Sequence, residues 1–307
     1  MERILIFALI GLGAQLVDGT LGMAFGVTAT TLFVLSGTGA ATASAVVHVA
    51  EIGTTLASGL SHWRFGNVDW LRVAQLGVPG AVSAFVGASF LSSLQVDVAV
   101  PVTSSILLTL GLWVVMKFAF LNGVKRADDD SQRLGAGKLI GLGVIGGLLD
   151  STGGGGWGPV TTSALMTAES REPRKVIGTV SAAEFLVAGA AVAGFFPMLK
   201  QEFHAHTAPV VGLLVGGVLA APLAAYLVGR LNPRFLGIVI GGILVALNLR
   251  TLCADLLPSW ALSLLLLSWL CVVLGLLIWA RSHDQLPWHR RRVELGVGAG
   301  HECTPVA

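Results

Sequence analysis

Apolar residues run without interruption over helix-spanning lengths at Ala99 to Met116, Val210 to Val228, Phe235 to Leu249 and Leu256 to Ala280, and the charges gather between them. Such runs read as helices in lipid. No two-residue alternation of the kind a membrane barrel needs is present. The pattern predicts an all-α polytopic membrane protein, with elements at residues 4–17, 27–36, 41–62, 71–94 and 99–120 in the first half of the chain. The second half has elements at residues 138–149, 159–168, 174–198, 208–230 and 235–252, followed by an unpaired span at 257–280.

The two halves repeat one another. Asp18 to Thr31 reads DGTLGMAFGVTATT and Asp150 to Ser163 reads DSTGGGGWGPVTTS, which pairs Asp18 with Asp150, Thr20 with Thr152, Gly22 with Gly154, Gly26 with Gly158 and Thr30 with Thr162. With small slips Glu51 falls on Glu184, and Ile106, Leu107 and Leu110 fall on Ile243, Leu244 and Leu247. The chain reads as a tandem duplication, each half a short helix, a break, a second short helix and three full spans.

The short pieces could form one interrupted span or a hairpin that enters and leaves on one side, and basic residues choose between these because they favour the cytoplasmic side. The hairpin arrangement puts 16 of the 19 Lys and Arg residues on one side and leaves only Arg3, Lys200 and Arg250 on the other. A single span splits them 10 to 9. With hairpins each half crosses the bilayer an odd number of times, so the halves are expected as inverted repeats, with the N-terminus outside and the C-terminus cytoplasmic. The expected units are residues 1–121 (first repeat), 122–137 (cytoplasmic linker), 138–253 (second repeat), 254–281 (extra transmembrane helix) and 282–307 (cytoplasmic tail).

Composition narrows the class. A mean hydropathy of +0.81, with 54% hydrophobic and 12% charged residues, excludes a water-soluble globule. The net charge of +2 and pI near 8.6 come from residues at membrane edges, so no nucleic-acid role follows. Cys253, Cys271 and Cys303 have no metal-knuckle or redox-pair spacing and read as free thiols. The run from Ile4 to Gly13 resembles a signal peptide in hydrophobicity, but its internal copy later in the chain argues that it is retained.

The chemistry is expected at the two breaks. Short arms cannot cross the hydrocarbon alone, and irregular backbone at that depth is tolerated only in protein or beside a wet cavity. Paired breaks of this kind commonly mark a transporter's substrate site. Each second arm points its free N–H groups inward, which favours an anion. The candidate binding residues are Gly22, Met23, Thr28 and Thr30 in one half and Gly153, Gly154, Gly155, Gly156, Trp157, Thr161 and Thr162 in the other. A second reading is that glycines four apart serve close helix packing. No Lys-Ser or Lys-Thr follows Gly158, so the glycine run is not a nucleotide loop.

Asp18, Glu51, Asp150 and Glu184 lie in apolar surroundings, and His48 shares a helix face with Glu51. Intramembrane ionisable residues are functional by default. Carboxyl and imidazole groups can take up and release a proton, so these five are the candidates for proton coupling. The alternative is that the aspartates cap the broken helices. His62, Trp63 and Trp70 read as interfacial anchors, and His204 and His206 as loop residues. Trp288 and Arg290 to Arg292 read as a tail on the inner leaflet. No cofactor motif, metal cluster, nucleophile–base pair or soluble domain is visible, so the chain is expected to be no enzyme and to carry no metal or cofactor. Nothing in the sequence excludes assembly of identical chains.

The stretches DGTLGMAFGVTATTL from Asp18, SAVVHVAEIGTTLASGLSHWRFGNVDW from Ser44 and GGLLDSTGGGGWGPVTTSALM from Gly146 resemble the TauE/SafE family of sulfite-exporter-like permeases. The resemblance covers Ile4 to Leu252. It implies a secondary carrier in the cytoplasmic membrane for sulfite, sulfonates or related organic acids. The family motif maps onto Gly153 to Gly156 and Pro159, whereas the first break lacks both the glycine run and the proline. Alternating access around a central anion site, with a small anion and lipid as partners, is the expected function. An anion channel and a carrier for a non-sulfur organic acid are the alternatives.

Overall fold

The computed structural model describes residues 2–23, 25–35, 38–94, 96–120, 133–169, 173–227, 233–254 and 256–283. Lys125, the acidic run Asp128 to Asp130, the tail from Asp284 and Cys303 lie outside them. Ten helical elements are present among the described residues: α1 Glu2–Leu21, α2 Phe25–Leu35, α3 Ala40–Arg64, α4 Trp70–Ser93, α5 Val96–Phe120, α6 Ala136–Gly153, α7 Trp157–Ala168, α8 Pro173–Leu227, α9 Pro233–Cys253 and α10 Ser259–His283. Six stretches are long and apolar enough to cross a bilayer: Ala40–Arg64, Trp70–Ser93, Val100–Phe120, Arg174–Pro197, Thr207–Leu227 and Ser259–Ser282. The protein is an all-helical, multi-pass membrane protein.

Both short-helix pairs are chain reversals. Phe7 in α1 stacks on Phe33 in α2 with ring centroids 5.3 Å apart. A continuous rod would separate these residues by about 39 Å. In the second pair a Cβ built on Gly146 of α6 would meet Thr161 of α7 at 2.7 Å. The first arms are longer than expected: α1 has 20 residues and α6 has 18. The second arms, of 11 and 12 residues, are far too short to cross about 30 Å of hydrocarbon, whereas the first arms come close to that length. The first arms gain length because the helical hydrogen bonding continues through Asp18 and Asp150 to the glycines that follow.

The two expected spans at 174–198 and 208–230 are matched by Arg174–Pro197 and Thr207–Leu227, and the residues between them are helical as well, since no glycine or proline interrupts residues 199–206. His204 and His206 are therefore helical rather than in a loop. Still, α8 cannot be straight. Gly59 of α3 packs on Ala182, and Thr54 of α3 packs on Gly217. The α3 residues are about 7.5 Å apart along their helix, whereas the α8 residues would be about 52 Å apart on a rod. The reversal falls between Pro197 and Pro209, each of which removes an N–H from the helical ladder.

Small residues set the packing. Gly212 and Gly216 in the second arm of α8 sit against Phe7 and Ala8 of α1. Gly143 and Gly147 of α6 sit in the same way against Leu76 and Gly80 of α4. Gly59 and His62 of α3 meet Ala182 and Gly178 of α8, and Gly111 and Phe118 of α5 meet Leu244 and Gly237 of α9. In both of these pairs the register descends on one helix as it rises on the other, so α3 and the first arm of α8, and likewise α5 and α9, run antiparallel. Helix α3 is buried on nearly every side, which leaves its polar residues Ser44, His48, Glu51, Thr54 and Ser58 inside the protein. Helix α10 packs chiefly on α9 and exposes Leu264, Leu267, Leu270 and Ile278.

Candidate functional site

Each hairpin closes on a glycine held in the left-handed region. Gly22 has φ 69° and donates its N–H to the Asp18 carbonyl at 2.5 Å; Gly154 has φ 70° and donates to the Asp150 carbonyl at 2.6 Å. This is the glycine-terminated helix end that a side chain would strain. The same aspartates reach forward across the break. Asp150 Oδ1 accepts the Trp157 N–H at 3.0 Å, and the Asp18 carboxyl faces the Phe25 N–H, in each case the first amide of the second arm. Asp150 thus makes the bond that the capping reading asks for, and Asp18 stands in the equivalent place. These carboxylates occupy the helix ends that were expected to face an anion.

The hairpins then cross. Thr30 Oγ1 donates to the Gly154 carbonyl at 2.6 Å, and Thr162 Oγ1 donates to the Gly22 carbonyl at 2.6 Å. In the repeat Thr30 pairs with Thr162 and Gly22 with Gly154, so one contact is made twice with the roles exchanged. A Cβ on Gly26 would meet Gly155 at 2.6 Å, and one on Gly158 would meet Met23 at 2.6 Å. Gly155 itself lies against the Val27 amide and the Gly26 carbonyl carbon. Close packing therefore claims these glycines, as the second reading of the sequence had it.

Beside the crossing lies a buried ionisable cluster. Asp150 Oδ2 is 3.1 Å from His48 Nε2, and Glu51 Oε2 is 3.8 Å from the same atom. His48 Nδ1 is 2.7 Å from the Ser44 carbonyl, which can only accept, so Nδ1 carries a proton. Nε2 then faces two acceptors. A positive species has to be shared there, either a second proton or a cation. Neither Glu51 oxygen has a hydrogen-bond partner among the described residues, although the side chain is buried. Glu184 is buried too, and lies within Coulombic range of Asp18, Glu51 and Asp150. The ligand atoms of His48, Glu51 and Asp150 all lie within 4.8 Å of one another, so these three could also hold a metal ion. Ser44 would then be the outer partner that orients the histidine. A metal-capable set was not legible in the chain, because Asp150 stands 102 residues from His48.

The other candidates divide. Thr161 donates to the Trp157 carbonyl at 2.5 Å, and Trp157 is fully buried with Nε1 donating to the Val180 carbonyl at 3.1 Å. Met23 is buried against the cluster that includes Val114, Phe118 and Ile238. Thr28 is half-buried, while Gly153 ends α6 and Gly156 precedes α7. His62 is not an interfacial anchor. It is fully buried, Gly178 of α8 packs against its Cβ, and Asn67 Nδ2 lies 3.4 Å from its Nδ1. Its neighbour Trp63, a hundred degrees round the helix, is exposed and meets Trp70 edge-on. Lys117, Arg72 and Arg234 were counted among the membrane-edge charges, yet all three are buried. Cys253 and Cys271 are free thiols.

Residues 7–251 match the family described as sulfite exporter TauE/SafE. The probable membrane transporter protein YtnM of Bacillus subtilis (strain 168) is 45% identical over 282 residues, covering 90% of this chain and 93% of that protein. No solved structure matches.

Proposed function

The chain belongs to the TauE/SafE sulfite exporter family of membrane transporters, and from that premise we propose that it is a secondary transporter exporting a small anion, sulfite or an organosulfonate. It works by alternating access at the place where the two hairpins cross. The observation that carries this reading is the exchanged pair of contacts, Thr30 to Gly154 and Thr162 to Gly22, directly beside a buried group of four carboxylates and one histidine. Crossed, mutually bonded hairpins can move as two rigid units that open one side or the other. The histidine and carboxylates supply a site whose charge changes with a coupling proton, so that each conformation binds anion and proton with different affinity.

In this reading the halves, residues 1–121 and 138–253, sit in the cytoplasmic membrane in opposite senses, with the N-terminus outside and the C-terminus cytoplasmic. The antiparallel packing of α3 on α8 and of α5 on α9 supports it. Residues 122–137 and 282–307 are the cytoplasmic linker and tail, and 254–281 is an added span that meets lipid. The chain does no covalent chemistry on its substrate.

Counterflow in proteoliposomes tests the proposal. Vesicles loaded with unlabelled sulfite should accumulate labelled sulfite transiently above equilibrium, with saturation. Flux that rises linearly with concentration and shows no counterflow would establish a channel instead. Counterflow with carboxylates but not with sulfite or taurine would move the substrate to non-sulfur organic acids.

A further inference from the structure

The groups that the hairpin breaks were expected to offer an anion are largely engaged. The Trp157 amide binds Asp150, the Phe25 amide faces Asp18, and the hydroxyls of Thr30, Thr161 and Thr162 donate to carbonyls. An anion brought into this interior needs a positive partner, because removing a bare charge from water is costly. Among the described residues three Lys or Arg side chains are buried: Arg72, Lys117 and Arg234. Arg72 is paired, its Nη1 2.5 Å from Glu169 Oε1 and its Nε 3.7 Å from Asp69 Oδ2. Arg234 donates to the Ala119 carbonyl at 2.8 Å and lies over the Trp279 ring, which caps the end of α5.

Lys117 is different. Its ammonium donates one hydrogen bond, 2.9 Å to the Ser163 carbonyl, lies 5.6 Å from the Phe118 ring centroid, and has no carboxylate within 4.0 Å among the described residues. An ammonium carries three N–H groups, so two are left to bind something else. Its location points to what. Ser163 follows Thr162, the residue whose hydroxyl crosses to Gly22. At the matching place in the first hairpin, Thr31 follows Thr30, and there the partner from α9 is Asn248, whose Nδ2 donates to Thr31 Oγ1 at 3.3 Å. The crossing is thus flanked by the Asn248 amide on one side and the Lys117 side chain on the other.

We propose that Lys117 is the countercharge for the transported anion: an oxyanion of the sulfite or sulfonate class binds its ammonium between α5 and α7. The inference rests on the anion-carrier reading above, and places the anion on this side chain rather than on the amides at the breaks. Sulfite binding to purified full-length protein by titration calorimetry tests it. Lys117→Met should raise Kd at least about tenfold, the scale of a lost charge-assisted hydrogen bond. Its thermal midpoint should be kept or raised, because a buried ammonium is removed. Lys117→Arg should bind within about threefold of the parent, since the charge and the donors remain. A Lys117→Met protein with the parental Kd overturns the inference and leaves the carrier reading intact. Weak binding with a lowered midpoint in both variants marks Lys117 as structural and also overturns it. A parent protein that neither binds sulfite nor shows counterflow overturns both.

Discussion

Asp150 serves four partners at once: its carbonyl accepts from the Gly154 and Gly155 amides, one carboxylate oxygen holds the Trp157 amide and the other faces His48. Asp18 repeats the first two roles in the other hairpin. The division of labour among the carboxylates follows from this. The aspartates hold the backbone of the breaks, whereas Glu51 is buried with neither oxygen hydrogen-bonded among the described residues, as the proposed coupling role requires. Glu51→Gln should therefore abolish uptake driven by a pH gradient while at least about half of exchange at equal pH survives, because the amide keeps shape and loses only the titrating charge. Proteoliposome flux with and without an imposed gradient measures this, and equal loss of both modes would place Glu51 in the fold instead. These residues stood out early because Asp18 and Asp150 recur in register 132 residues apart, four residues before a glycine in both copies, and Glu51 recurs at Glu184 with a one-residue slip. The burial of Lys117 and His62 was not. Each sits near the end of an apolar helix, where a charge normally reaches water, and only the packing of α7 or α8 decides whether it does.

At the scale of elements, the hairpins hold one another through a pair of equivalent hydrogen bonds. Thr30→Val and Thr162→Val should each cost about 1–3 kcal/mol, since each leaves a buried carbonyl short of a donor. The two bonds share one crossing, so the double variant should depart from additivity by about 0.5–3 kcal/mol in a double-mutant cycle of unfolding free energies. Strict additivity would mean that the two crossings open independently. The break positions and the reversals were readable from glycine placement and from the asymmetry of basic residues. The lengths of the first arms were not, because helical hydrogen bonding runs on through residues of modest propensity until a left-handed glycine stops it. The continuity of α8 through residues 199–206 had the same cause: nothing in that stretch forbids a helix, so the turn had to be found from what its two arms touch.

For the whole molecule, the inserted orientation makes a simple prediction. A single cysteine at Arg64, exposed at the end of α3, should react with an impermeant maleimide only in inside-out vesicles. One at Leu256, exposed before α10, should react only in right-side-out cells. Labelling of both from the same side would contradict the odd number of crossings per half. Lipid exposure also explains the apolar outer surface, and α10 in particular, which packs chiefly on α9, touches α5 through Trp279 and Phe120, and turns Leu264, Leu267 and Leu270 outward. By itself the sequence determined the solvent, the helical class, the duplication and the two places where helices must stop, because hydropathy, repeat identity and glycine conformation are local properties that no packing can reverse. Only the tertiary structure decided that the breaks cross and clasp each other, that His48 meets Asp150, and that Lys117 points inward. Those are relations between residues about fifty to more than a hundred positions apart, and distance along the chain carries no trace of them.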